Sequence, residues 1–181
     1  MVESTHLRHS LVIRFKKIRG QIQAIERMLQ DKSCQDIFIQ LSAVKSALDK
    51  ASLLVLENHM QSCLLSASNN TSLDDQKNNL IQFIRNYKYG NSSMPYVRQD
   101  IDTLLYESAE RTGFVIKTLE DFQEDRCSDV LKNTSEIRGL LGRVGLILFE
   151  SEIEHSVIKC DESDEFDNLE NILNMAKKFI I

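Results

Sequence analysis

The fold is decided by the stretch Cys34–Cys63, CQDIFIQLSAVKSALDKASLLVLENHMQSC. It runs without proline or glycine, and Ile37, Leu41, Val44, Leu48, Ala51, Leu54 and Val55 recur at the spacing that stacks side chains on one helical face. The spacing predicts one long amphipathic helix. His59 and Cys63 stand four residues apart near its end, one above the other, in position to grip one ion together. Cys34, a third soft ligand, lies 25 residues upstream of His59. At 1.5 Å per residue that is roughly 37 Å, so the three cannot meet within one helix. For them to share a site, the far cysteine must come from a second copy of this helix lying antiparallel.

Working outward, the chain before this stretch predicts a helix from His6 or Leu11 to Leu29, with Leu11, Phe15, Ile18, Ile22, Ile25 and Leu29 on one stripe. Its other face carries Arg8, Arg14, Lys16, Lys17, Arg19 and Arg27. A polar break, QDKS, leads to the long helix, predicted to end at Leu65. Beyond it, SASNNTSLDD reads as a cap-rich loop, residues 74–87 as a third, shorter helix, and YGNSSMPY, with the only proline, as a linker.

After the linker the pattern returns. At an offset of 93, Cys34, Asp36, Ser42, Leu48, Leu53 and Glu57 meet identical residues at Cys127, Asp129, Ser135, Leu141, Leu146 and Glu150, while Lys45 and Lys50 meet Arg138 and Arg143. Gly20 meets Gly113 at the same offset, although the apolar stripe of the first helix fits slightly better with a one-residue shift, and DNLENILNMAKKFI stands where the third helix stood. The expectation is a tandem duplication: residues 1–90, a linker at 91–98, and a second copy over 99–181. Its architecture is all-α, two three-helix repeats pairing as an antiparallel four-helix bundle, a pseudo-dimer within one chain.

Composition narrows the function. The 181 residues contain one proline, six glycines and no tryptophan, and apolar runs such as LLVL and VGLILF are far shorter than a membrane span of about 20 residues. MVESTHLRHS has no hydrophobic signal core, so a cytoplasmic protein is expected. Cysteines 34, 63, 127 and 160 form no CxxC pair and read as reduced thiols, some of them ligands. The net charge of −5 hides an asymmetry: residues 1–90 carry 12 Lys+Arg and 8 Asp+Glu, residues 91–181 carry 10 and 19. No nucleophile–base pair, Gly-rich phosphate loop or carboxylate dyad suggests an enzyme or a small-molecule substrate.

RFKKIRGQIQAIERML followed by CQDIFIQLSAVKSALDKASLLVLENHMQSC closely resembles the CsoR/RcnR/FrmR family of small bacterial repressors, most of all the copper-sensitive operon repressors. The pieces carrying the likeness are RxKxxxGQI, QxSAVxxALxxA, and a cysteine followed after 25 residues by histidine and four later by cysteine. It covers nearly all of residues 6–88 and is much weaker beyond. The resemblance implies an all-helical disc in which two protomers pair their first two helices, dimers associate further, and Cu(I) binds between protomers. It implies, too, that basic residues of the first two helices grip double-stranded DNA largely through phosphates; Arg14, Lys16, Arg19, Lys45 and Lys50 match those positions.

The departures are specific. The second-copy counterparts of His59 and Cys63 are Glu152 and Ser156, neither a soft ligand. If the copies pair within one chain, one site is Cys34 with Glu152 and Ser156, and the other is Cys127 with His59 and Cys63; only the second suits Cu(I). The rival pairs first copies from two chains and uses Cys34, His59 and Cys63 twice. His6 and His9 offer a further N-terminal metal site of the kind implied for nickel- and cobalt-sensing relatives. Ser33 and Asn79 stand where copper sensors commonly place a tyrosine and a glutamate that link the ligand histidine to the fold. Glu107, Ala109 and Thr112 replace Arg14, Lys16 and Arg19, so the second copy repels phosphate. The function expected is a cytoplasmic, Cu(I)-responsive DNA-binding repressor that leaves its operator on binding metal, acting as a homo-oligomer of fused chains. The alternatives are a helical interaction module that hetero-oligomerises with a partner regulator, and a repressor answering formaldehyde or a sulfur species.

Overall fold

A computed structural model describes the backbone over residues 2–66, 100–121 and 127–158, and side chains over 5–58, 100–121 and 127–153. The short helix expected at 74–87, the linker, the C-terminal helix and Cys160 lie outside the described residues. Four helices lie among the described residues: α1 (Val2–Asp31), α2 (Cys34–Ser66), α3 (Ile101–Glu120) and α4 (Cys127–Ile158). Apart from Lys32, Ser33, Asp100 and Asp121 the described residues are thus all helical, and α1 begins several residues before the apolar stripe does.

The join between α1 and α2 is only Lys32 and Ser33. Ser33 stops one helix and starts the next: its hydroxyl accepts the backbone N–H of Asp36 at 3.2 Å and donates to the Asp36 carboxylate at 2.8 Å. This reciprocal cap satisfies an orphan donor of the first turn and sets a negative charge at the helix's positive end. Ser33 therefore has a structural task at the position where the sequence comparison notes a missing tyrosine.

α1 packs on α2 and on α3, and α4 packs on the same two, so the helices close a four-sided bundle. Neighbours run antiparallel. Between α2 and α4, Cys34 meets Glu152 and Asp49 meets Arg138, residue numbers rising along one helix as they fall along the other. Between α1 and α3, Lys16 meets Glu120 and Arg19 meets Glu110 in the same sense.

The core is the set of apolar faces read from periodicity. Phe15, Ile18, Ile22 and Ile25 of α1 and Ile37, Leu41, Val44, Leu48, Ala51 and Val55 of α2 are buried; Leu29 and Leu54 are half-buried. Their positions 93 residues on in α4, namely Val130, Thr134, Ile137, Leu141, Val144 and Leu148 for α2, are buried as well. α3 is the thinner wall, placing Ser108, the counterpart of Phe15 at the same offset, and Thr112 in the core. These hydroxyls stay satisfied because each donates to the carbonyl four residues back, Ser108 to Leu104 and Thr112 to Ser108, both at 2.7 Å. Ser52 and Thr134 do the same, so no hydroxyl partner from another helix is needed.

Candidate functional site

Cys34 opens α2 and is half-buried against the far part of α4, where its thiol donates a hydrogen bond to the Glu152 carboxylate. Burial first, then the Glu152 charge and this hydrogen bond, push the thiol above its ordinary range. A soft metal needs the thiolate. Cys34 is thus held neutral, beside a hard oxygen ligand.

The sign of the linkage follows. A raised folded value favours the protonated thiol, so its contribution to stability is complete below the unfolded thiol value and is lost as pH rises through the folded one. Alkylation should report it. The peptide containing Cys34, followed by mass spectrometry, is expected to react slowly with iodoacetamide at neutral pH, with a midpoint displaced upward. Glu152→Gln should bring that midpoint down; an unchanged midpoint would mean that Glu152 does not hold the proton.

Cys127 occupies the equivalent first position of α4 and is also half-buried. His59 and Cys63 belong to the final turns of α2, but their side chains lie outside the described residues, as does that of Ser156. Among the described residues no group of three His, Cys, Asp or Glu comes together to hold a metal.

The five basic residues singled out for DNA do not form one patch. Arg14 and Lys50 line an open groove of about 830 Å³ between α1 and α2, joined there by His6, His9 and Lys17. Lys17 joins the groove because it is one turn on from Arg14, a signal present in the periodicity. Lys16 and Arg19 lie on the opposite flank of α1, at the seam with α3. Lys16 Nζ is 2.7 Å from Glu120 Oε1, and Arg19 Nη2 donates to Glu110 Oε1 at 3.1 Å. Both pairs are well exposed and contribute on the order of 0–1 kcal/mol each.

Lys45 faces the α2–α4 seam. Its ammonium is pushed below the ordinary lysine range by burial and then by the Arg138 guanidinium, with Asp49 opposing. Arg138 Nε in turn stands 3.3 Å from Asp49 Oδ1. On α3, Arg111 is clamped by Glu107 at 2.8 Å and by Glu136 of α4. Four carboxylates of the second half, Glu107, Glu110, Glu120 and Glu136, are thus held by cations. The pairs that join the two halves, Lys16–Glu120, Arg19–Glu110 and Arg138–Asp49, gave no sign in the sequence because their partners stand about a hundred residues apart.

Residues 8–86 match the family model described as metal-sensitive transcriptional repressor. Over 66 residues, 36% of this chain, the chain is 38% identical to the copper-sensing transcriptional repressor CsoR of Mycobacterium tuberculosis (strain H37Rv) and 35% identical to that of Bacillus subtilis (strain 168). It is 40% identical over 55 residues, 30% of this chain, to the copper-sensing transcriptional repressor RicR of Mycobacterium tuberculosis. The chain spans 56%, 65% and 57% of the length of these three curated relatives. No solved structure matches it.

Proposed function

From the match of residues 8–86 to the family model described as metal-sensitive transcriptional repressor, we propose that the chain is a Cu(I)-responsive repressor of that family that grips double-stranded DNA and is released on binding metal. The observation that carries the metal half of this reading is the Cys34–Glu152 contact. Exchanging the two halves at the offset of 93 turns that pair into Cys127–His59. One end of the α2–α4 seam thus has a protonated thiol beside a carboxylate, and the same antiparallel register, continued, would set the soft donors His59 and Cys63 opposite Cys127 at the other. Cys127, His59 and Cys63 would hold Cu(I), which supplies a thiophilic, low-coordinate centre tying the start of α4 to the end of α2. Cys34 would be the idle counterpart.

We read the halves as a tandem duplication, residues 1–90 and 99–181 about a linker at 91–98. The matching burial of α2 and α4 at the same offset supports it. For DNA, Arg14, Lys17 and Lys50 around one groove are the cations best placed for phosphate. A single chain offers this groove once, so two chains associating would give a two-sided surface, the arrangement we expect in the cytoplasm.

The test is titration of a fluorescent duplex carrying the chain's own upstream DNA, at several salt concentrations, with and without Cu(I). Three phosphate contacts per chain predict a slope of log K against log[salt] of about −3 for each chain bound, and copper should weaken the complex. No salt-dependent binding at all would end the repressor reading. One observation favours the second reading, a module that binds a partner regulator instead: the carboxylates of α3 already hold Lys16 and Arg19. It expects co-purification with a single-copy relative and no duplex binding by the chain alone.

A further inference from the structure

The two ion pairs at the α1–α3 seam join residues whose chemistry has been inverted between the halves. At the offset of 93, Glu107, Glu110 and Glu120 of α3 stand where α1 has Arg14, Lys17 and Arg27. A seam built from two copies of α1 would set cations against cations. Here it sets Lys16 against Glu120 and Arg19 against Glu110.

The Arg19 contact has a shaped seat. A Cβ added at Gly113, one turn beyond Glu110, would stand 3.3 Å from Arg19 Cζ and 3.4 and 3.5 Å from its two terminal nitrogens. The guanidinium therefore lies over the bare backbone of α3. A mid-helix glycine is about 1 kcal/mol poorer than alanine as a helix former, and at this position it provides the room the arginine uses. Gly20, its counterpart on α1, meets nothing within 4 Å. Arg19 Nε is buried there without a hydrogen-bond partner, so the side chain is drawn into the seam by its terminal nitrogens. By contrast, among the described residues Arg14, Lys17 and Lys50 have no carboxylate within ion-pair distance.

We propose that Glu110 and Glu120 act as internal substitutes for nucleic-acid phosphate, holding Lys16 and Arg19 at the seam so that the chain grips duplex through the α1–α2 groove alone. A cation already neutralised by a carboxylate releases no condensed counterion when DNA arrives, and must give up one anion to take another. The mask lowers both affinity and salt dependence without removing a single basic residue. The inference rests on the DNA-binding reading above, and its test separates the two.

Wild-type chain and the E110Q/E120Q double variant are titrated with one short mixed-sequence fluorescent duplex across a salt series. Freeing two cations should tighten binding about ten- to hundredfold at 0.1 M salt and steepen the slope by about 2. Returning K16Q/R19Q into that background should restore the wild-type slope. A D102N/D129N variant, changed by the same net charge away from the two seam pairs, should leave the slope unchanged. Wild-type binding with no steepening in E110Q/E120Q, or equal steepening in D102N/D129N, overturns the mask while leaving DNA binding intact. Absence of duplex binding by the wild-type chain and the variant overturns the DNA reading and the mask with it.

Discussion

Cys127→Ala is expected to abolish high-affinity Cu(I) binding by the reduced chain, while Cys34→Ala leaves it nearly unchanged. The asymmetry is notable because the two cysteines are equivalent in sequence, each opening a long helix that begins C–x–D, and each half-buried. What separates them is the neighbour supplied by the antiparallel helix. Cys34 faces Glu152, whose charge and hydrogen bond reinforce burial in keeping the thiol protonated. Removing such a thiol deletes no competent ligand. In the proposed site Cys127 takes the exchanged position and would face the end of α2 that bears His59 and Cys63. Its loss would leave two of the three proposed donors, and the weakening should exceed the 10–100-fold that loss of an outer partner produces. Competition against a Cu(I) chelator under anaerobic conditions measures it. The reverse pattern, loss in Cys34→Ala alone, would mean that sites form between first halves of two chains.

How much of this was legible beforehand depends on which relation a contact obeys. Helix existence and buried faces follow a local period of 3.6 residues, and so Phe15, Ile22, Leu41, Val44 and Leu48 could be assigned to the core from spacing alone. The counterpart of each residue in the other half follows a constant difference in number, and so Cys127, Glu152 and Glu107 could be matched to Cys34, His59 and Arg14. Contacts across an antiparallel seam follow neither relation: one number rises as the other falls, and long side chains slide the pairing by a turn. Lys16 thus reaches Glu120 rather than its counterpart Ala109, and Arg19 reaches Glu110 over Gly113 rather than Thr112. The basic residues that looked like one stripe on α1 are divided between a groove and a seam for the same reason. Ser33 was legible only as a departure until its bonds to Asp36 showed the cap.

A fragment of residues 1–90 is expected to be a dimer, and its behaviour in salt should be opposite to that of the intact chain. Truncation strips α3 and α4 from Phe15, Ile22, Leu41 and Leu48, all fully buried in the whole chain, and two helices cannot cover those faces alone. A second fragment can, because the buried positions of α2 and α4 coincide at the offset of 93. The cost appears at the other seam. Where Lys16 now meets Glu120 and Arg19 meets Glu110, a fragment dimer sets Lys16 against Arg27 and Arg19 against Lys17, twice over. Raising salt from 0.1 to 1 M shortens the screening length from about 10 to about 3 Å, relieving four like-charge contacts at a few tenths of a kcal/mol each, about a tenfold tightening of the dimer. In the intact chain the same change weakens two attractive pairs and should lower stability slightly. Sedimentation equilibrium across salt reads the first and denaturant unfolding the second. The copper dependence should move as well: with Cys127 absent, each site in the fragment dimer must draw on Cys34, freed from Glu152, together with His59 and Cys63 of the other copy. Cys34→Ala, silent in the whole chain, should then abolish binding. A fragment that folds as a monomer, or that keeps tight copper binding without Cys34, would show that the second half does not stand in for a second protomer.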